Sequence, residues 1–137
     1  MSHRLPSLLA ISLIAAIAAT ADHAAAQSPP VAGTWANDHG SVLVIKSVGP
    51  DGSITGTYSN SATGFKCAGI AFPLVGWMDG PRISYTVRWK NASVDCAQIT
   101  SWTGYFSGAR LGVEWVLTYD DNGTSKVAAG KDSYVRK

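Results

Sequence analysis

The sequence predicts an all-β fold, an eight-stranded antiparallel up-and-down barrel, and three observations support this class. Segments after Val31 alternate apolar and polar residues with period two, and none has a helical period of useful length. Most of these segments are short and separated by tight turn signals such as Asp51-Gly52. Three consecutive segments each place a tryptophan on the apolar face, at Trp89, Trp102 and Trp115. A β-sandwich is the alternative architecture.

The first four strands are predicted at residues 33–37, 41–48, 53–60 and 70–78. Asp38-His39-Gly40 separates the first two, and a turn ending in Asp51-Gly52 precedes the third, because Asp-Gly tolerates positive φ. A loop over residues 61–68 leads to the fourth strand. One face of the third strand carries Ile54, Gly56, Tyr58 and Asn60.

The last four strands are predicted at residues 82–90, 100–106, 110–119 and about 130–136. Asp79-Gly80-Pro81 precedes the fifth strand, a polar loop holding Cys96 precedes the sixth, and Ser107-Gly108 precedes the seventh. A turn ending at Gly123 follows the seventh strand. The fifth strand alternates throughout, with Ile83, Tyr85, Val87 and Trp89 on one face, and the seventh groups Leu111, Val113, Trp115, Leu117 and Tyr119 in the same way.

Residues 1–26 are predicted to be a secretory signal peptide, and residues 27–137 a single domain. Arg4 gives a positive start, residues 8–19 are apolar, and Ala24-Ala25-Ala26 offers small residues before a cut. A cut after Ala21 is the alternative. The apolar run is too short to span a bilayer as a mature helix. The mature protein is therefore expected to be secreted or periplasmic, without a membrane segment.

Composition and charge argue against several classes of function. The net charge is only +2 and the basic residues are scattered, so no nucleic-acid partner is expected. A glycosidase needs two carboxylates across one cleft, whereas only Asp132 is predicted to face inward. A Ser-His-Asp triad would have to use His39, and no motif surrounds any serine. His39 is the lone histidine once His3 and His23 are removed with the signal peptide, so it lacks companions for a metal site and is expected to be a surface residue that its loop places near the mouth of the barrel. The protein is therefore not expected to be an enzyme or to bind a metal.

The two cysteines, Cys67 and Cys96, are predicted to form a disulfide. They are the only cysteines in the chain, and an exported protein matures in an oxidising compartment. Closing a loop of about 30 residues contributes on the order of 3 kcal/mol on the chain-entropy model. Free thiols or a redox pair are the alternative, but the Cys-x-x-Cys spacing is missing.

Several polar residues share the inward face with the tryptophans. Period-two parity places Ser41, Tyr58, Asn60 and Thr100 inward, and Asp132 lies near the end of the last predicted strand. Polar groups inside a barrel are costly unless they are hydrogen-bonded. A core that served only for packing would carry aliphatic residues at these positions, so the interior is expected to bind a ligand.

Motifs along nearly the whole mature chain resemble the avidins and streptavidins. In the family's order and at near-equal spacing, they are Gly33-Thr34-Trp35, Gly40-Ser41, Thr55-Gly56-Thr57-Tyr58, Trp89-Lys90-Asn91, Thr100-Ser101-Trp102-Thr103-Gly104, Trp115-Val116-Leu117 and Gly130-Lys131-Asp132. The resemblance implies an eight-stranded barrel that binds biotin non-covalently at its open end. It implies no chemical turnover and no cofactor besides biotin as ligand.

The resemblance also implies which residues bind biotin. Donors to the ureido carbonyl oxygen would be Asn37, Ser41 and Tyr58, an arrangement akin to an oxyanion hole. Acceptors for the ureido N–H groups would be Asp132 and the side-chain oxygen of Asn60. The remaining contacts would come from Thr100 near the sulfur, from Trp89, Trp102, Trp115 and Leu117 around the ring and alkyl chain, and from Ser61, Ala62, Thr63, Gly64 and Gln98 at the carboxylate end.

Three features distinguish this chain within the resemblance. Gln98 stands where the family usually has a small serine, and no tryptophan occurs between Asp120 and Lys131, where streptavidin lends one to a neighbouring subunit. Cys67 and Cys96 sit as in the short dimeric avidins such as rhizavidin. The last two features imply a homodimer. The alternative function is a secreted barrel with a packed interior that acts as an inhibitor or interaction module, or one that binds another small ligand.

Overall fold

A computed structural model describes residues 31–137, and the predicted signal peptide lies outside the described residues. These residues form eight strands: β1 (Gly33–Asn37), β2 (Val42–Val48), β3 (Ser53–Ser59), β4 (Ala71–Asp79), β5 (Arg82–Lys90), β6 (Asp95–Ser107), β7 (Arg110–Asp121) and β8 (Thr124–Arg136). Each strand pairs antiparallel with the next, and β1 pairs with β8 from Trp35↔Arg136 to Asn37↔Tyr134. The sheet is therefore a closed barrel, which confirms the predicted fold and excludes a sandwich. Residues 31–137 contain no helix long and apolar enough to cross a membrane.

The predicted strand bounds are correct for β1 and β5 and differ by one residue for β2, β3 and β4. The sixth strand is longer than predicted, because it already begins at Asp95. Its pairing with β5 contains a bulge, where the register shifts between Arg88↔Ile99 and Lys90↔Asp95. Cys96 consequently lies in β6 and not in a loop, which corrects the prediction. In the bulge Ala97 adopts φ 50°, and its N–H donates to Asp95 Oδ1 at 2.9 Å.

The eighth strand begins six residues earlier than predicted. Asn122 and Gly123 both have positive φ, 54° and 81°, so they form a two-residue turn of the primed type that joins adjacent antiparallel strands. Pairing between β7 and β8 therefore starts at Asp121↔Thr124 and continues without interruption to Arg110↔Val135. Ladder hydrogen bonds supply the stability that the Ser-, Lys- and Ala-rich sequence of this segment does not suggest.

The inward faces agree with the predicted parity. On β5 the buried side chains are Ile83, Tyr85, Val87 and Trp89, and on β3 they include Ile54 and Tyr58. Trp35 fills one end of the barrel. Its ring centroid lies 5.0 Å from that of Phe106, and the Arg136 guanidinium carbon lies 5.6 Å from the Trp35 centroid. This end is packed, so the space for a ligand lies at the other end.

Candidate ligand-binding site

The other end of the barrel holds a cavity of about 630 Å³, within the usual range of about 300–1,000 Å³ for small-molecule sites. The structure brings all fifteen predicted biotin-binding residues to its lining. By element they are Asn37 on β1, Ser41 just before β2, Tyr58 on β3, Asn60, Ser61, Ala62, Thr63 and Gly64 in the following loop, Trp89 on β5, Gln98, Thr100 and Trp102 on β6, Trp115 and Leu117 on β7, and Asp132 on β8.

Asn37 and Ser41 present hydrogen-bond donors to the cavity. The Asn37 Oδ1 atom accepts from the Ser41 backbone N–H at 2.8 Å, which leaves the amide NH₂ group to donate to Asp132 or to a ligand. The Ser41 hydroxyl oxygen accepts from the Ser61 backbone N–H at 3.1 Å. Ser61 gives its own hydroxyl proton to the His39 carbonyl oxygen. The Ser41 proton can therefore be donated to Ser61 Oγ, 3.3 Å away, or to a ligand.

Tyr58 and Asp132 complete this polar end, and Tyr134 connects them. The two tyrosine hydroxyl oxygens lie 2.7 Å apart, and the Tyr134 hydroxyl donates to Asp132 Oδ2 at 3.1 Å. Burial raises the pKa of both phenols, so both are protonated across the physiological range. Burial also raises the pKa of Asp132, and the hydrogen bond from Tyr134, the nearby His39 and a hydrogen bond from Asn37 oppose that rise.

Tryptophans form the apolar wall of the cavity. Trp89 and Trp102 are almost fully buried, whereas Trp115 is half-buried at the mouth. Trp89 Nε1 donates to the Thr100 hydroxyl oxygen at 2.9 Å, so the Thr100 proton remains available to a ligand. Phe65 packs edge-on against Trp89 with ring centroids 5.0 Å apart. The wall therefore holds one more aromatic ring than the sequence analysis identified.

Gly130 on β8 makes room for the indole of Trp115. A Cβ atom at residue 130 would lie 2.7 Å from Trp115 Cε2, closer than real Cβ contacts allow. The two residues are direct partners in the β7–β8 ladder. Any larger residue at this position would therefore displace a side chain that lines the cavity.

The loop after β3 covers one side of the cavity. The Asn60 side-chain oxygen already accepts from the Ala62 backbone N–H at 2.6 Å, so one lone pair remains for a ligand. Cys67, fully buried at the end of this loop, is bonded to Cys96 on β6, with Cα atoms 6.4 Å apart. The predicted disulfide is thus present. It ties the loop to the β6 bulge that carries Gln98.

The cavity also has lining residues that sequence reasoning did not assign to it: His39, Phe65 and Lys131. The first had been placed near the mouth by its loop, but the others had no period-two signal that separated them from surface residues. Asp132 is the single carboxylate in the lining. Among residues 31–137, no group of three or more histidine, cysteine or acidic residues could hold a metal ion.

Comparison with known proteins identifies the family. The model of the Avidin family matches residues 25–137. Afifavidin from Afifella pfennigii is 36% identical over 145 residues, which cover 96% of this chain and 91% of afifavidin. The solved structure of a short afifavidin–biotin complex has a TM-score of 0.73 and 34% identity, over 81% of this chain and 92% of that chain. The rhizavidin–biotin complex has a TM-score of 0.72 and 29% identity, over 80% of this chain and 97% of that chain. The chain therefore belongs to the avidin family, as its motifs predicted.

Proposed function

We propose that this protein is exported and binds biotin non-covalently in the open end of its barrel, without chemical turnover. The observation that carries the proposal is the cavity itself, in which polar groups from β1, β3 and β8 face a wall of tryptophans. Biotin has a matching division into a polar ureido group and an apolar ring and chain. The short afifavidin and rhizavidin structures, both solved with biotin, support this ligand.

The ureido group would bind at the polar end. The amide NH₂ of Asn37 and the hydroxyls of Ser41 and Tyr58 would donate to its carbonyl oxygen. Asp132 and the free lone pair of Asn60 would accept from its two N–H groups. Donation to the oxygen polarises the ring, so its N–H groups become stronger donors to the carboxylate. Each polar atom of the ureido group would thereby have a partner of the opposite kind.

The rest of biotin would contact the apolar wall and the mouth. Trp89, Trp102, Trp115 and Leu117 would enclose the ring and alkyl chain, and large aromatic side chains bury much area at low entropy cost. The free hydroxyl proton of Thr100 would point at the thioether sulfur. At the mouth, the hydroxyl and backbone N–H groups of residues 62–64 and the amide of Gln98 would donate to the carboxylate.

The site supports binding and not catalysis. Asp132 has no second carboxylate opposite it in the lining, and His39 lies on an exposed loop beside Asp38. Hydrolysis through an acid–base pair or a Ser-His-Asp triad would need an arrangement of groups that these lining residues do not form. Biotin should therefore be recovered unchanged after binding.

A titration with biotin tests the proposal. We expect saturable binding of one biotin per chain, detected by calorimetry and by a change in tryptophan emission, because three tryptophans line the cavity. A barrel with a merely packed interior would give neither signal. Recovery of another small molecule in place of biotin from the purified protein would favour the alternative ligand.

Export is the second part of the proposal. The signal peptide proposed for residues 1–26 predicts a mature chain that begins at Gln27, or at Asp22 if the cut follows Ala21. The Cys67–Cys96 disulfide suits an oxidising compartment such as the periplasm or the medium. Mass measurement of the exported protein would distinguish the two cuts, and retention of residues 1–26 would contradict export by this route.

We also propose a homodimer formed by the outer face of the late strands. Ile99, Val116 and Val127 are exposed on this face by 46%, 49% and 68%. The register places Ile99 opposite Thr118 and Thr118 opposite Val127, so the patch is contiguous across β6, β7 and β8. An exposed apolar patch of this kind marks an interaction surface, and a two-fold axis would pair it with itself. Light scattering would measure the assembly.

A further inference from the structure

Tyr134 occupies a position between two residues of the proposed site. It is fully buried on β8, two residues after Asp132. Its hydroxyl lies 2.7 Å from that of Tyr58 and donates to Asp132 Oδ2 at 3.1 Å. The three polar groups thus form a chain that joins the proposed donor to the ureido carbonyl with the proposed acceptor for a ureido N–H.

The number of hydroxyl protons limits how the hydrogen bonds between Tyr58, Tyr134 and Asp132 can be arranged. Each neutral phenol has one proton to donate, and its oxygen can also accept. In the free protein, Tyr58 can donate to Tyr134 while Tyr134 donates to Asp132, and both protons are used. If Tyr58 instead donates to a ligand carbonyl, its oxygen can accept the proton of Tyr134. Tyr134 then leaves Asp132, whose oxygen becomes available to a ligand N–H.

We propose that the Tyr58–Tyr134 hydroxyl pair reverses its direction of donation when a cyclic urea binds, which makes Tyr134 a positioning residue of the site. The inference rests on the proposed function. A ligand with both a carbonyl oxygen and an adjacent N–H satisfies Tyr58 and Asp132 together. A ligand with the carbonyl alone leaves Asp132 without its donor, so the pair favours ureas over simple carbonyl compounds.

The same geometry predicts the effect of removing the hydroxyl. In the free cavity, water can replace Tyr134 as partner of Asp132, but in the complex the Tyr58 oxygen would lose the proton that Tyr134 donates to it. Tyr134→Phe should therefore bind biotin about two- to tenfold more weakly, the fold-change that corresponds to one neutral hydrogen bond. Tyr105 provides a matched control, because it lies on the outer face of β6, is 60% exposed and does not line the cavity. Tyr105→Phe should bind biotin as the parent does.

The pH dependence of binding provides a second readout. Ionised Asp132 accepts an N–H more strongly than the protonated acid does, and Tyr134 helps to keep its pKa down in the free protein. The loss of affinity on acidification should therefore begin at higher pH in Tyr134→Phe. Other groups around Asp132 are common to parent and variant: Asn37 from β1, His39 and Asp38 from the β1–β2 loop, Tyr58 from β3, Tyr85 from β5, and Lys131, which is paired with Glu114 of β7. The difference between the two profiles thus isolates Tyr134.

The decisive experiment combines biotin dissociation constants across pH with NMR of tyrosine-labelled protein. The Tyr134 hydroxyl proton should move upfield when biotin binds, since it leaves a carboxylate, the stronger acceptor, for a neutral oxygen. If the parent binds biotin but this resonance stays in place, or if Tyr134→Phe matches the parent in affinity and pH profile, the switch is refuted and the proposed function stands. A parent that does not bind biotin overturns both.

Discussion

Replacing Asp132 by alanine should weaken biotin binding and leave the barrel folded. In the proposed complex a ureido N–H, already polarised by donors to its carbonyl oxygen, is left without an acceptor in a buried place. A hydrogen bond to a charged group contributes about 1.5–3 kcal/mol. The expected loss of affinity is therefore roughly 10- to 150-fold. In the free protein, water in the cavity can replace the carboxylate as partner of Tyr134.

The stability of the same variant follows from the pKa of Asp132. Burial raises this pKa above its ordinary value of 3.8, so folding favours the protonated carboxyl. The contribution of Asp132 to stability is present below pH 3.8 and is lost as the pH rises through the elevated folded-state pKa. At neutral pH the ionised carboxylate therefore destabilises the fold. Asp132→Ala should melt at the same temperature as the parent or higher at neutral pH, and this advantage should shrink in acid.

Isothermal titration with biotin would measure the affinity, or a competition titration where binding is too tight for direct titration. Circular dichroism would measure the melting temperature. Gln98→Ala is the control, because Gln98 lies at the mouth and would contact only the biotin carboxylate. Its loss of affinity should be smaller. If a folded Asp132→Ala protein bound biotin as tightly as the parent, the ureido group would not bind beside β8, and the assigned orientation of the ligand would be wrong.

Three further changes test other parts of the structure. Gly130→Ala should weaken biotin binding with little change in melting temperature, because the new Cβ displaces Trp115; unchanged affinity in a titration would contradict this. Replacing Cys67 and Cys96 by alanine should lower the free energy of unfolding by about 3–4 kcal/mol in urea denaturation, from loop closure alone. Val127→Glu should give a monomer in light scattering with biotin binding retained, whereas a dimer would argue against the proposed interface.

Much of the fold and most of the site could be predicted from local sequence patterns. A strand is pleated with period two, so the residues around Trp89 and Tyr58 reveal which side chains share a face without any knowledge of neighbouring strands. Turn residues such as Gly52 mark where strands end, because they adopt φ angles that other residues avoid. Polar residues that face inward among tryptophans then indicate a bound ligand. The spacing of the motifs indicates the family of the protein.

Features that depend on contacts across the barrel were decided by the tertiary structure. Parity places Tyr134 on the inward face, but only closure of the barrel brings its hydroxyl to Tyr58 on a distant strand. Phe65 lies in a loop without periodicity, and its contact with Trp89 depends on how the disulfide folds that loop back. The early part of β8 has weak strand propensity, yet its pairing with β7 makes it a strand. Periodicity determines the face of a side chain, whereas its partners depend on strands that are remote in sequence.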